Sequence, residues 1–174
     1  AVAASSLWEE CSKSLGIDYQ HEEDGFVDFK VQPLLPRLHS HDGPCVAVAD
    51  INGDGLDDFF VGAAAGFNGY LYTQRPNGTF APEKLPEPNT ADDMSAVFLD
   101  ADQDGDQDLY VAAGGVLPQK QGDPVYLHRL WMNDGKGHFT RNLQAIPPTV
   151  AVSAAVVTAC DYDKDGDQDL FVGG

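Results

Sequence analysis

Apolar residues in this chain gather in short runs closed by Gly or Asp, and the runs come in pairs. Cys45-Val46-Ala47-Val48-Ala49 is followed by Phe59-Phe60-Val61, Ala96-Val97-Phe98-Leu99 by Leu109-Tyr110-Val111, and Ala155-Val156-Val157-Thr158-Ala159-Cys160 by Leu170-Phe171-Val172. Runs this short, bounded by turn residues, fit buried β-strands, because a helix needs more length to bury a face. Each pair is separated by a nine-residue, mostly polar segment, so each such segment is a loop joining two strands.

A second pattern follows the first two pairs. Leu71-Tyr72-Thr73-Gln74-Arg75-Pro76-Asn77-Gly78-Thr79-Phe80 parallels Leu130-Trp131-Met132-Asn133-Asp134-Gly135-Lys136-Gly137-His138-Phe139. Each is an aromatic-containing strand, a Gly-bearing turn and a Phe, which predicts a hairpin. One repeat therefore reads as four antiparallel strands. The polar loops begin at residues 50, 100 and 161, and repeats of this period suggest blades of a β-propeller. The expected organisation is all-β: a lead-in over 1–43, a first blade over 44–93, a second over 94–150 and the first half of a third over 151–174. Residues 84–93 and 114–124, rich in Pro, Gly and polar side chains, are expected to be surface loops. Propellers close with about four to eight blades. Two and a half blades are not closed by this chain alone, so a longer polypeptide or other subunits in a ring or filament are expected to complete them.

The loops carry the readable chemistry. They are Asp50-Ile51-Asn52-Gly53-Asp54-Gly55-Leu56-Asp57-Asp58, Asp100-Ala101-Asp102-Gln103-Asp104-Gly105-Asp106-Gln107-Asp108 and Asp161-Tyr162-Asp163-Lys164-Asp165-Gly166-Asp167-Gln168-Asp169. Each places side-chain oxygens at positions 1, 3, 5 and 9 and glycine at position 6. Oxygens at 1, 3 and 5 converge if the backbone curls, and glycine permits the curl. The carbonyl of position 7 (Leu56, Asp106 or Asp167) and the carboxylate of position 9 (Asp58, Asp108 or Asp169) would complete a shell of about six to eight oxygens, with water filling any gap. The expectation is three Ca²⁺ sites. Magnesium fits less well, because it retains several waters. An EF-hand is excluded: position 12 is Val61, Val111 or Val172 where a bidentate Glu is required, and the flanks read as strands.

With these loops in view, the chain resembles the FG-GAP repeats of integrin α-subunit propellers, and more closely secreted bacterial repeat proteins of the VCBS and CRTAC/ASPIC-UnbV type. The resemblance rests on the three D-x-[DN]-x-D-G-x-x-D loops, the Phe60-Val61-Gly62-Ala63-Ala64 and Leu170-Phe171-Val172-Gly173-Gly174 tails, and the 130–139 hairpin. The lead-in segments Gly16-Ile17-Asp18-Tyr19-Gln20-His21-Glu22, Asp28-Phe29 and Gln32-Pro33-Leu34-Leu35-Pro36 add to it. It implies a calcium-stabilised extracellular propeller with an adhesive or binding role and no catalysis, and it names no ligand.

Charge narrows the partners. Formal net charge is −18, and half of the 28 acidic residues lie in the three loops, so half of the acidity is ligand chemistry and not a tail. Nucleic acid and anionic membranes need clustered Lys and Arg, and no apolar run approaches a membrane span. Ala1-Val2-Ala3-Ala4-Ser5-Ser6 lacks the basic start and apolar core of an intact signal peptide. The expected setting is secreted or cell-surface, with protein subunits or an extracellular protein or glycan as partner.

The remaining residues are weighed individually. Cys11, Cys45 and Cys160 have no metal spacing; Cys160 is expected to be a small core residue, and an extracellular setting permits a Cys11–Cys45 disulfide. His39 and His41 read as surface rather than as a zinc pair. Glu9-Glu10 and Glu22-Glu23-Asp24 read as solvated charge. Asn77-Gly78-Thr79 fits both a glycosylation acceptor and a hairpin turn, and the turn is preferred. Trp8, Trp131 and the Tyr and Phe positions are expected to form core. Two functions remain: a non-catalytic calcium-stabilised binding or assembly module, or the scaffold of a secreted polysaccharide-active enzyme. The second needs a convergent acid–base set outside the loops, and the sequence displays none.

Overall fold

A strand that leaves a metal-type loop has one face for each neighbour, and the computed structural model places an apolar residue on both. It describes residues 8–23, 25–37, 41, 43–120 and 122–174. His39, Asp24 and Asp42 lie outside the described residues; His41 is exposed. The first sheet is β1 (Val46–Ala49), β2 (Asp58–Val61), β3 (Tyr70–Gln74) and β4 (Phe80–Lys84), in that spatial order. The second is β5 (Asp92–Leu99), β6 (Asp108–Gly114), β7 (Arg129–Met132) and β8 (Thr140–Arg141). A two-stranded sheet pairs β9 (Val156–Cys160) with β10 (Asp169–Gly173). Every pairing is antiparallel. The chain thus forms all-β propeller blades, two of four strands and one of two.

Alternation along the strands explains how the sheets stack. Phe60 on β2 lies opposite Ala47 and Leu71, and this face packs with Ile51 and Leu85 against Leu109, Val111 and Trp131 of the second sheet. The opposite face of the second sheet, with Tyr110, Ala112, Leu99 and Leu130, buries against Ala154 and Val157 beside the third. All seven residues of β6 are buried because both its faces are covered. Each large side chain sealed in these seams contributes about 1.5–3 kcal/mol.

Polar links cross the seams too. Tyr110 donates its hydroxyl proton to His128 Nδ1 at 2.6 Å, and His128 Nε2 donates to the Val152 carbonyl at 3.0 Å, tying the second sheet to the approach to the third. Burial pushes the Tyr110 phenol up to about 12, so it stays a donor.

Several expectations change. Residues 84–93 are not a plain surface loop: Leu85, Asn89, Ala91 and Asp93 are buried, because Leu85 joins the core between the first two sheets and Asn89 and Asp93 are bonded to Ala63 and Arg129. Trp8, Tyr162 and Phe171 are exposed rather than core, and Cys160 is exposed as well, while Trp131 is buried. Phe171 is 66% exposed although its register equivalents Phe60 and Tyr110 are buried. It stands on the outward face of β10, where no described segment covers it. Val46 and Val48, at 57% and 60%, are similarly open on β1. All three cysteines are free thiols, so Cys11 and Cys45 are not joined. Residues 75–79 form the expected turn, with Thr79 donating to the Asn77 side chain.

Candidate metal centre

The loops are built by their own carboxylates. At position 1, Asp50 accepts the amides of Gly53 at 2.8 Å and Asp54 at 3.2 Å on one oxygen and of Gly55 at 2.8 Å on the other. Asp100 accepts from Asp104 and Gly105, and Asp161 from Gly166. Position 3 accepts the amide of position 5 through Asn52, Asp102 and Asp163. Position 5 accepts that of position 7, so Asp54, Asp104 and Asp165 receive Leu56, Asp106 and Asp167. Short acidic side chains turning back onto the backbone curl each loop.

The curl also requires two left-handed residues. Position 6 is Gly55, Gly105 or Gly166, with φ of 82°, 94° and 100°. Position 4 is left-handed as well, and here the loops differ: Gly53 at 72°, Gln103 at 65° and Lys164 at 64°. Sequence spacing had pointed only to position 6. The second requirement is hidden because two loops meet it with side-chain-bearing residues, at a cost of about 1–2 kcal/mol each.

Convergence is clearest in two loops. Asp100, Asp102 and Asp104 each offer an oxygen within 4.8 Å of the others, and so do Asp161, Asp163 and Asp169. In the first loop the corresponding set is Asp50, Asn52 and Asp54. These oxygens suit a hard cation. Asp106 carries a further mark: its Oδ1 is buried with no hydrogen-bond partner among the described residues. Burial first, then the charges of Asp104 and Asp108, push its carboxyl up to about 6. The charge of Asp165 raises Asp167 likewise. Packed carboxylates that resist ionisation are stabilised by a cation, so the residues fit the ion.

Position 9 does more than the sequence reading assigned to it. Asp58 is buried, and it accepts the Ile51 amide at 3.1 Å on Oδ2 and the Gln74 amide at 2.6 Å on Oδ1. Asp108 repeats this with Ala101 at 3.0 Å and Asn133 at 2.8 Å, and Asp169 accepts from Tyr162 at 2.9 Å. In the first two loops the carboxylate thus staples its loop to the end of the third strand, and each oxygen keeps a lone pair for an ion. Burial raises the Asp58 and Asp108 carboxyls, and these amide bonds oppose the rise.

Asn133 is a participant that the sequence reading placed only in a turn. Its Nδ2 donates to the Ile51 carbonyl at 2.7 Å and the Gln107 carbonyl at 3.1 Å, while its Oδ1 accepts the Asp134 and Gly137 amides. It bridges the first and second loops, which line a shared hollow of about 480 Å³ with Asp50 and Asp106 on its walls. The repeated position of Asn133 and Gln74 at the end of the third strand was the available signal.

Residues 50–111 match the family model described as an FG-GAP-like repeat. The matched span contains the first two loops and strands β2 to β5. No curated protein matches the chain.

Proposed function

We propose that this chain is a non-catalytic β-propeller module, stabilised by three Ca²⁺ ions, that works in the secreted or cell-surface setting as a binding or assembly element. The observation that carries the reading is the repetition of one donor register in three loops, with two carboxylate triads already gathered. Asp50, Asn52, Asp54 and Asp58 would hold one ion, Asp100, Asp102, Asp104 and Asp108 the second, and Asp161, Asp163, Asp165 and Asp169 the third, with the position 7 carbonyls of Leu56, Asp106 and Asp167 completing each. The similarity of residues 50–111 to FG-GAP-like repeats agrees with this reading.

The ions act as staples. Four or five neighbouring carboxylates repel until a cation is present, so ion uptake and blade folding are coupled. With a dissociation constant of about 10⁻⁴ M, millimolar calcium contributes about 1.4 kcal/mol per site. That is a substantial share of a marginal domain stability. Among the described residues no helix is long and apolar enough to cross a membrane. The exposed apolar positions Val46, Val48 and Phe171 support an assembly role, because Phe60 and Tyr110, the equivalents of Phe171, are sealed and those of Val46 and Val48 pack at least partly against a neighbouring sheet.

Isothermal titration calorimetry with Ca²⁺ and Mg²⁺ tests the proposal. Three calcium ions per chain, weaker magnesium binding and a fall in melting temperature in excess EGTA are expected. Unchanged melting in EGTA would refute it.

A further inference from the structure

The lead-in folds back on the outer face of the first sheet and encloses a cleft of about 430 Å³, within the roughly 300–1,000 Å³ range of small-molecule sites. Its partly exposed aromatic wall is Tyr19, Phe67 and Tyr70, with the buried Tyr72 behind them. The wall is preformed. Tyr19 donates its hydroxyl proton to the Gly62 carbonyl at 2.9 Å and meets the Tyr70 ring edge-on at 6.1 Å. Gly16, with φ of 80°, lets the lead-in approach so closely that a β-carbon there would come within 2.7 Å of the Phe80 carbonyl oxygen.

The polar part of the cleft has a mixed character. The side chains of Asp18, Gln20, Glu22 and Lys84 are exposed at it and make no hydrogen bond or ion pair among the described residues. Two of these groups only accept, one only donates and the amide does both. An anion would be opposed by Asp18 and Glu22, and an ammonium ligand, though drawn to those carboxylates, would also meet the charge of Lys84. A neutral polyol is opposed by none, because each hydroxyl both donates and accepts. Tyrosine rings supply the complementary apolar surface for the C–H face of a sugar ring.

We infer that this cleft binds a neutral pyranose, making the chain a glycan-binding module. The inference rests on the reading of the chain as an extracellular binding element.

The test is saturation-transfer-difference NMR on the calcium-loaded protein with the methyl glycosides of glucose, galactose, mannose and N-acetylglucosamine. At about 10 mM even a millimolar site is nearly full, so at least one glycoside should receive saturation. Glu22→Gln and Lys84→Gln should each weaken binding about tenfold, as expected for one charge-assisted hydrogen bond, with the melting temperature in calcium unchanged. Gly16→Ala should release the lead-in and abolish binding while EGTA still lowers the melting temperature. The site is overturned if no glycoside is saturated, if these variants bind as the parent does, or if tetramethylammonium or phosphate occupies the cleft in place of sugar. Those outcomes leave the calcium reading untouched, whereas insensitivity to EGTA strikes that reading alone.

Discussion

The side-chain amide of Asn133 donates to the carbonyl of Ile51, 82 residues earlier in the chain, at 2.7 Å. Because Asn133 also holds Gln107 and the Asp108 carboxylate, one residue couples two ion loops on neighbouring blades. Asn133→Ala should destabilise the fold by about 1–3 kcal/mol, the cost of leaving buried partners unmatched. Calcium affinity at both the first and second loops should fall in the same variant. Urea melts and calorimetric titration measure the two effects.

Arg129 on β7 forms a buried ion pair with Asp93 and donates to Asn89, while Asp93 also accepts the Ala63 amide at 3.0 Å. Burial first, and then Arg141, lowers the Arg129 guanidinium to about 10. Removing one charge strands the other, so Asp93→Ala should cost about 3–5 kcal/mol. The double variant Asp93→Leu/Arg129→Met should recover part of that loss. Additive losses in denaturant titrations would contradict this coupling.

Glycine at position 6 is needed for its backbone alone, since a β-carbon at Gly105 would meet nothing within 4 Å. Gly105→Ala should therefore cost about 1–2 kcal/mol of strain without any clash. Gln103→Gly at position 4 removes similar strain but adds about 0.5–1 kcal/mol of unfolded-state entropy. It should be neutral or mildly stabilising. Thermal melts in calcium distinguish the two signs.

Each ion loop should be separable from the others. Asp102→Ala or Asp163→Ala should lower the calcium stoichiometry by one and leave the remaining affinities within a few fold. A loss of all binding from either change would show that the loops fill only together. Native mass spectrometry counts the ions.

The Cys45 thiol lies beside Gly62 and Asp93, and burial pushes it up to about 11. Only about a thousandth of it is thiolate at pH 8. Cys11 and Cys160 are exposed. Ellman's reagent should modify two thiols quickly and the third only as the protein unfolds.

Local pattern made the strands and the ion register readable. Asp58 and Asp108 both close a loop and open a strand, and the apolar residues that follow alternate between faces, so β2 and β6 were visible from composition and spacing alone. The donors at positions 1, 3 and 5 were equally visible, since their geometry depends on a few consecutive residues. Trp8 and Phe171 show the limit of such reading. Their apolar character resembles that of Trp131 and Phe60, yet they are exposed, because burial depends on which segment lies opposite.

The amino-acid sequence by itself determined an all-β chain of repeated blades with three oxygen-rich loops, since strand alternation and loop curl are governed by neighbours within a few residues. Only the tertiary structure decided the rest. It made Asp58 and Asp108 into staples, set Asn133 between two loops, sealed Arg129 against Asp93 and folded the lead-in over Tyr70 to form a cleft. Each of these depends on residues far apart in the chain, and the partners of a buried polar group are chosen by how the sheets stack.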